Sequence, residues 1–284
     1  MKAKYGIPIW IGNVFDNIIK KIDTFREYGL DFVELSIDYP WPYKQVDLLE
    51  KTVSTTMKNG LLIGVHMPWR DLPFATPYNL IGEAVLSTIR EVTEKLRSLT
   101  PSLEYILVHP STMQRIELYD NRRDIINSLR ARIETLTETY PDMIIVIENL
   151  SKGFAAEISN LIEAVENIDH AGICLDIGHL AARYVRELRD HYDSFYDYLD
   201  EVLSMLDGIN VPVVHLHDID EKGREHLLVG EGFLKFKDIY KKISRLEPRY
   251  LVYEMFKSRK EKPTIDKILK LVKEQVSWAK IYLH

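Results

Sequence analysis

A chain of 284 residues, 46% apolar and 28% charged, has the composition of a globular protein with ample core material. No apolar run approaches the roughly 18 residues that a membrane span needs. The formal net charge of −6 argues against broad nonspecific nucleic-acid binding, and the single cysteine excludes an internal disulfide and suits a reducing cytoplasm. That cysteine, Cys174 in the run AGICL, reads as a small buried hydrophobe.

Taken in chain order, the N-terminal MKAKYGIPIWIGN reads as a first strand rather than a signal peptide. Strands are expected at Tyr5–Ile11, Phe32–Ile37, Leu61–His66, Tyr105–His109, Met143–Glu148, Gly172–Asp176, Val211–His215 and Tyr250–Glu254. Between them lie stretches with helical spacing. Leu80, Ala84, Ile89, Val92 and Leu96 mark Leu80–Leu99, and similar patterns cover Arg122–Leu136, Lys235–Leu246 and Thr264–Leu283. The strands are short, nearly continuous in Val, Ile and Leu, and lack clean alternation, as parallel strands buried on both faces do. Eight such units, with no linker or composition break, predict an α/β fold: one (β/α)8 TIM barrel domain spanning residues 1–284. The competing open doubly wound sheet lacks its phosphate fingerprint, since IGNVFDN carries one glycine instead of three.

The polar residues fall in a pattern. Six successive apolar runs end in a metal ligand or proton-transfer group: His66, His109, Glu148, Asp176, His215 and Glu254. In a barrel the C-terminal strand ends converge on one mouth, so these six are expected to share a pocket. Glu34 ends the second strand in the same way, and His179 follows Asp176 by three residues. Carboxylates with imidazoles suit Zn2+, Mn2+ or Co2+, and an all-oxygen Mg2+ or Ca2+ site less well.

With these residues assembled, the chain resembles the xylose isomerase-like TIM-barrel superfamily, which holds sugar and sugar-phosphate isomerases and epimerases and the endonuclease IV enzymes. The resemblance spans about Gly6 to Glu254 and rests on GVHMPW, LVHPS, IVIENL, ICLDIGHL, VVHLHD, HLLVGEG and LVYEMF. For the sugar epimerases it implies a divalent metal, Zn2+ or Mn2+ first and Co2+ or Mg2+ as alternatives, held by Glu148, Asp176, His215 and Glu254. Glu148 and Glu254 would then be the catalytic pair that exchanges a proton through an enediolate. The substrate would be a small sugar, sugar phosphate or related polyhydroxy ketone, and the assembly a homo-oligomer.

The related nuclease branch implies more metal. His66 and His109 with Glu148 match a second site, and His179 and His226 match two ligands of a third. Where that third site has an aspartate, this chain has Arg224, which argues against the apurinic-site phosphodiesterase. Trp69 and Arg70 in HMPWRDLPF, His217 and Glu34 are expected to touch substrate, with Trp69 stacking on a sugar face. Arg122 and Arg123 are further candidates for a phosphate, and Asp220 to Arg224 reads as a solvated loop.

Overall fold

The computed structural model describes residues 2–10, 18–37, 46–101, 103–111 and 121–283. Eight parallel strands close into a barrel in sequential order, with the last returning to the first. They are β1 Lys4–Trp10, β2 Phe32–Ser36, β3 Leu62–His66, β4 Tyr105–Val108, β5 Ile144–Glu148, β6 Ala171–Asp176, β7 Val213–Leu216 and β8 Tyr250–Tyr253. Each lies within two residues of its expected bounds; Ile11, the expected end of the first, lies outside the described residues.

Around the barrel run a 3-10 segment, Ile19–Tyr28, and the helices α1 Val46–Lys58, α2 Asn79–Arg97, α3 Arg122–Thr139, α4 Ile158–Val165, α5 Ile177–Arg183, α6 Phe195–Met205, α7 Phe236–Ile243 and α8 Ile265–Tyr282. The caps explain several starts. Thr264 accepts the Lys267 N–H at the head of α8, and Ser194 accepts that of Asp197 at the head of α6. The expected helix Lys235–Leu246 is instead α7 followed by a 3-10 turn at Ser244–Leu246. Among the described residues, no helix is long and apolar enough to cross a membrane.

The strands read as continuous apolar runs because both faces are buried. Outward-facing side chains such as Val33, Leu35 and Val65 pack under the helices. The inward set comprises Phe32, Tyr105, Leu107, Val146, Cys174, Val213, Tyr250 and Val252, with Ile144 at its edge. Cys174 is fully buried there, as its sequence context predicts. Phe32, Tyr105 and Tyr250 plug the barrel, with Tyr250 5.3 Å from the Phe32 centroid and 5.1 Å from that of Tyr105. This plug needs Gly64: a Cβ there would come within 2.3 Å of the Tyr105 ring. The phenol of Tyr105 then points up the barrel axis, toward the mouth where the polar residues collect.

Candidate metal centre

The strand ends carry the site. β3, β5 and β6 finish on His66, Glu148 and Asp176; β4 and β8 stop one residue before His109 and Glu254, and β7 runs one past His215. Parallel closure therefore brings Glu148, Asp176, His215 and Glu254 together, all buried, with one potential ligand atom from each within 4.8 Å of the others. Asp176 is also the N-cap of α5: its Oδ1 accepts the His179 N–H at 2.6 Å, and its Oδ2 keeps no hydrogen-bond partner.

The tautomer of His215 follows from what lies beneath it. Glu34 is fully buried, and its Oε2 accepts the Tyr105 hydroxyl at 2.7 Å and meets His215 Nε2 at 3.1 Å. A carboxylate can only accept, so Nε2 carries the proton. His215 Nδ1 then faces Glu148 Oε1 at 3.2 Å, Glu254 Oε2 at 3.5 Å and Asp176 Oδ2 at 3.9 Å. It makes a hydrogen bond to none of them. A lone pair ringed by three carboxylates is the arrangement that a divalent cation satisfies, so the residues fit the metal implied by the strand-end pattern. Burial opposes a positive charge on His215, but the Glu34 and Glu148 carboxylates outweigh it and raise the ring well above the usual histidine value. A proton and a metal ion would therefore compete for Nδ1. Burial pushes the Cys174 thiol up, which keeps it a neutral neighbour rather than a thiolate.

The two glutamates differ in electrostatic setting. Burial disfavours ionised Glu148, yet His215 and His109 hold its carboxyl well below the usual range. Glu254 goes the other way, pushed up by burial against the pull of His215. His109 Nε2 lies 2.8 Å and His66 Nε2 3.4 Å from Glu148 Oε2, which forms a second ligand set. His179, His217 and His226 form a third. His179 Nδ1 donates to Glu225 at 2.7 Å, and Glu225 in turn meets Arg186 at 3.0 Å. Burial works against both charges of the His179–Glu225 pair. Asp176 and Glu225 nevertheless push His179 up to about 10, and the bond to His179 holds Glu225 at about 2.

The expected substrate contacts separate into two groups. Trp69 and Arg70 line the mouth cavity of about 570 Å³ with His66, His109, Glu148 and Glu254. Trp69 already stacks on His109 at 5.1 Å, and the Arg70 guanidinium sits over its ring at 4.3 Å. Glu34 and His217 do not reach that cavity. His217 is fully buried, with Nδ1 accepting the His226 N–H at 2.9 Å and Nε2 3.1 Å from Asp176 Oδ1. It fits there because Gly178 has no side chain; a Cβ would lie 1.9 Å from the imidazole.

Two loop readings also change. Asp220 is buried instead of solvated, accepting the Lys222 and Arg224 N–H groups and the Arg224 side chain at 2.5 Å. Arg224 thus turns to Asp220, and His217 takes the third place beside His179 and His226. Arg122 is engaged by Asn160 and Glu163 on α4, while Arg123 is exposed. Sequence reasoning passed over Glu225 and Phe256. Only the loop geometry brings Glu225 beneath His179 and stacks Phe256 on His226 at 4.4 Å.

Comparisons with known proteins agree with this architecture. A D-tagatose 3-epimerase-like protein superposes with a TM-score of 0.74 at 20% identity, covering 98% of each chain. D-psicose 3-epimerase from Clostridium cellulolyticum H10 gives 0.70 at 12% identity and 99% coverage of each chain. L-ribulose 3-epimerase gives 0.68 at 13% identity, covering 99% of this chain and 95% of that one. Two uncharacterised proteins of Methanocaldococcus jannaschii are similar in sequence. One is 28% identical over 65% of this chain, which spans 60% of that relative's length; the other is 25% identical over 78% of this chain and 79% of its own. Residues 22–280 match the family model described as xylose isomerase-like TIM barrel, and the chain belongs to that family.

Proposed function

We propose that the protein is a divalent-metal-dependent isomerase or epimerase of a small polyhydroxy ketone: a sugar, a sugar phosphate or a close relative. The observation that carries this reading is His215 Nδ1 held inside a ring of three carboxylates. Glu148, Asp176, His215 and Glu254 would hold the ion, Zn2+ or Mn2+ first by ligand type and Co2+ or Mg2+ as alternatives. When bound, such an ion supplies positive charge beside a carbonyl oxygen and acidifies the neighbouring C–H.

Glu148, held ionised by its histidines, is suited to remove that proton. Glu254, pushed toward the protonated form, is suited to return one to the resulting enediolate. The epimerases that superpose on the chain support the same chemistry. Glu148→Gln and Glu254→Gln are each expected to lower kcat by about 100-fold or more. Solvent deuterium incorporation into a panel of ketoses measures it, and full turnover by either variant with its metal retained would sink the two-carboxylate mechanism.

A second reading, a multinuclear phosphodiesterase acting at apurinic sites, is favoured by one observation. His66, His109 and Glu148 on one side and His179, His217 and His226 on the other offer two further ligand sets. Two or three ions per chain by elemental analysis, with incision of a duplex carrying one abasic site, would establish it. One ion per chain and an intact duplex would dismiss it.

A further inference from the structure

Beside the mouth lies a second cleft, of about 670 Å³, walled by the loops that follow β7 and β8 and by Arg186 behind α5. Five cationic side chains line it, Arg186, Arg224, Lys257, Lys260 and Lys262, against two acidic ones, Glu225 and Glu261. This runs against the charge of the whole chain, which is −6. Phe256 and Lys257 line both this cleft and the mouth cavity, so the two lie side by side and share a wall.

The cations divide by their engagement. Arg186 is pinned by Glu225 and the Gly223 carbonyl, and Arg224 by Asp220. Among the described residues Lys257, Lys260 and Lys262 form no ion pair. Lys257 sits 5.2 Å over the Phe256 ring, which points its ammonium along the shared wall. The wall itself is tied to the barrel: Leu227 pairs with Asp218 on one side and with Lys257 on the other. A barrel commonly binds phosphate between the loops after its seventh and eighth strands, and these are the loops that make the cleft.

We propose that this cleft is a subsite for a phosphomonoester dianion at the far end of the substrate, whose carbonyl end lies over Glu148, Asp176, His215 and Glu254. The proposal rests on the isomerase reading above and narrows it to a phosphorylated ketose. Lys257, on the shared wall, meets the phosphate first, and Lys260 and Lys262 close over it from the β8 loop. Compact ammonium groups on flexible stems suit a dianion of variable reach.

The test pairs D-ribulose with D-ribulose 5-phosphate and D-fructose with D-fructose 6-phosphate on the metal-loaded full chain. Binding is read by calorimetry, and turnover by deuterium incorporation next to the carbonyl. The phosphorylated member is expected to show at least about tenfold higher affinity and kcat/KM at low ionic strength, an advantage that shrinks in high salt. In Lys260→Met/Lys262→Met the ratio between the two members falls by about fivefold or more. Equal behaviour of the two members, or a ratio lost in Arg70→Met/Lys152→Met and kept in the loop variant, overturns the subsite. Tighter binding of the phosphorylated member with no deuterium incorporation leaves the subsite standing and overturns the isomerase reading. Binding of neither member overturns both.

Discussion

Glu34 shows how much of the centre depends on a side chain that no substrate can reach. It lies below His215 with no exposure, shares one oxygen between Tyr105 and His215, and thereby decides which imidazole nitrogen faces the carboxylates. Glu34→Ala is expected to weaken metal affinity about 10–100-fold, and Glu34→Gln, which keeps an acceptor, to lose much less; a competition titration with a chelating dye measures both. The His179–Glu225 pair makes a pH-dependent contribution. A carboxyl lowered on folding stabilises above its unfolded value and loses that stabilisation as pH falls toward about 2; a histidine raised on folding stabilises below its unfolded value and loses it as pH climbs toward about 10. The pair therefore contributes most between about pH 4.3 and 6.5. In chelator-treated protein, Glu225→Gln should reduce the acid-side loss in Tm by this pair's share, leaving that of Glu148 and the other lowered carboxyls, and should shrink the alkaline loss without removing it, because Asp176 still acts on His179.

At the scale of an element, the loop after β7 is organised around one buried carboxylate. Asp218 accepts the N–H groups of Ile219, Gly230, Gly232 and Leu234 at 2.8–3.2 Å, drawing a long excursion back onto the strand end. Burial pushes its carboxyl up, and these four donors act against that shift. Asp218→Ala is expected to cost about 2–4 kcal/mol, because it leaves several buried donors unpaired; urea unfolding monitored by tryptophan fluorescence checks this. The same loop marks the limit of sequence reading. The strand ends are legible because a parallel barrel ends every strand at one mouth, so residue type at the last position carries the chemistry. The buried place of His217 depends on the missing Cβ of Gly178, and the direction of the Arg224 side chain on a turn closed by Asp220. The first is a contact between distant segments and the second an irregular local turn, and neither leaves a periodic trace in the chain.

For the whole molecule, the barrel confines negative charge. Three carboxylates, Glu148, Asp176 and Glu254, are buried at one mouth with a fourth, Glu34, beneath them, and a divalent ion there would offset their mutual repulsion. Metal at about 100 times its dissociation constant stabilises the fold by about 2.7 kcal/mol, so chelation should lower Tm by about 4–5 °C; calorimetry with and without chelator reads the shift directly. The architecture itself was legible almost end to end: β/α alternation, short apolar strands and the absence of a linker suffice for it. The loops were not, because their conformation is decided by single buried hydrogen-bonding groups.

The pairing of Leu227 with both Asp218 and Lys257 has a consequence for how such a protein diversifies. It joins two loops into one panel outside the barrel, while the proposed ligands stay on the strand ends. Residues 221–224 and 258–263 can then be exchanged as a cassette between fixed hinges, changing the grip on a substrate's tail and leaving the reacting end alone. A library confined to those positions should yield altered specificity at far lower risk to metal binding than one that enters the strands.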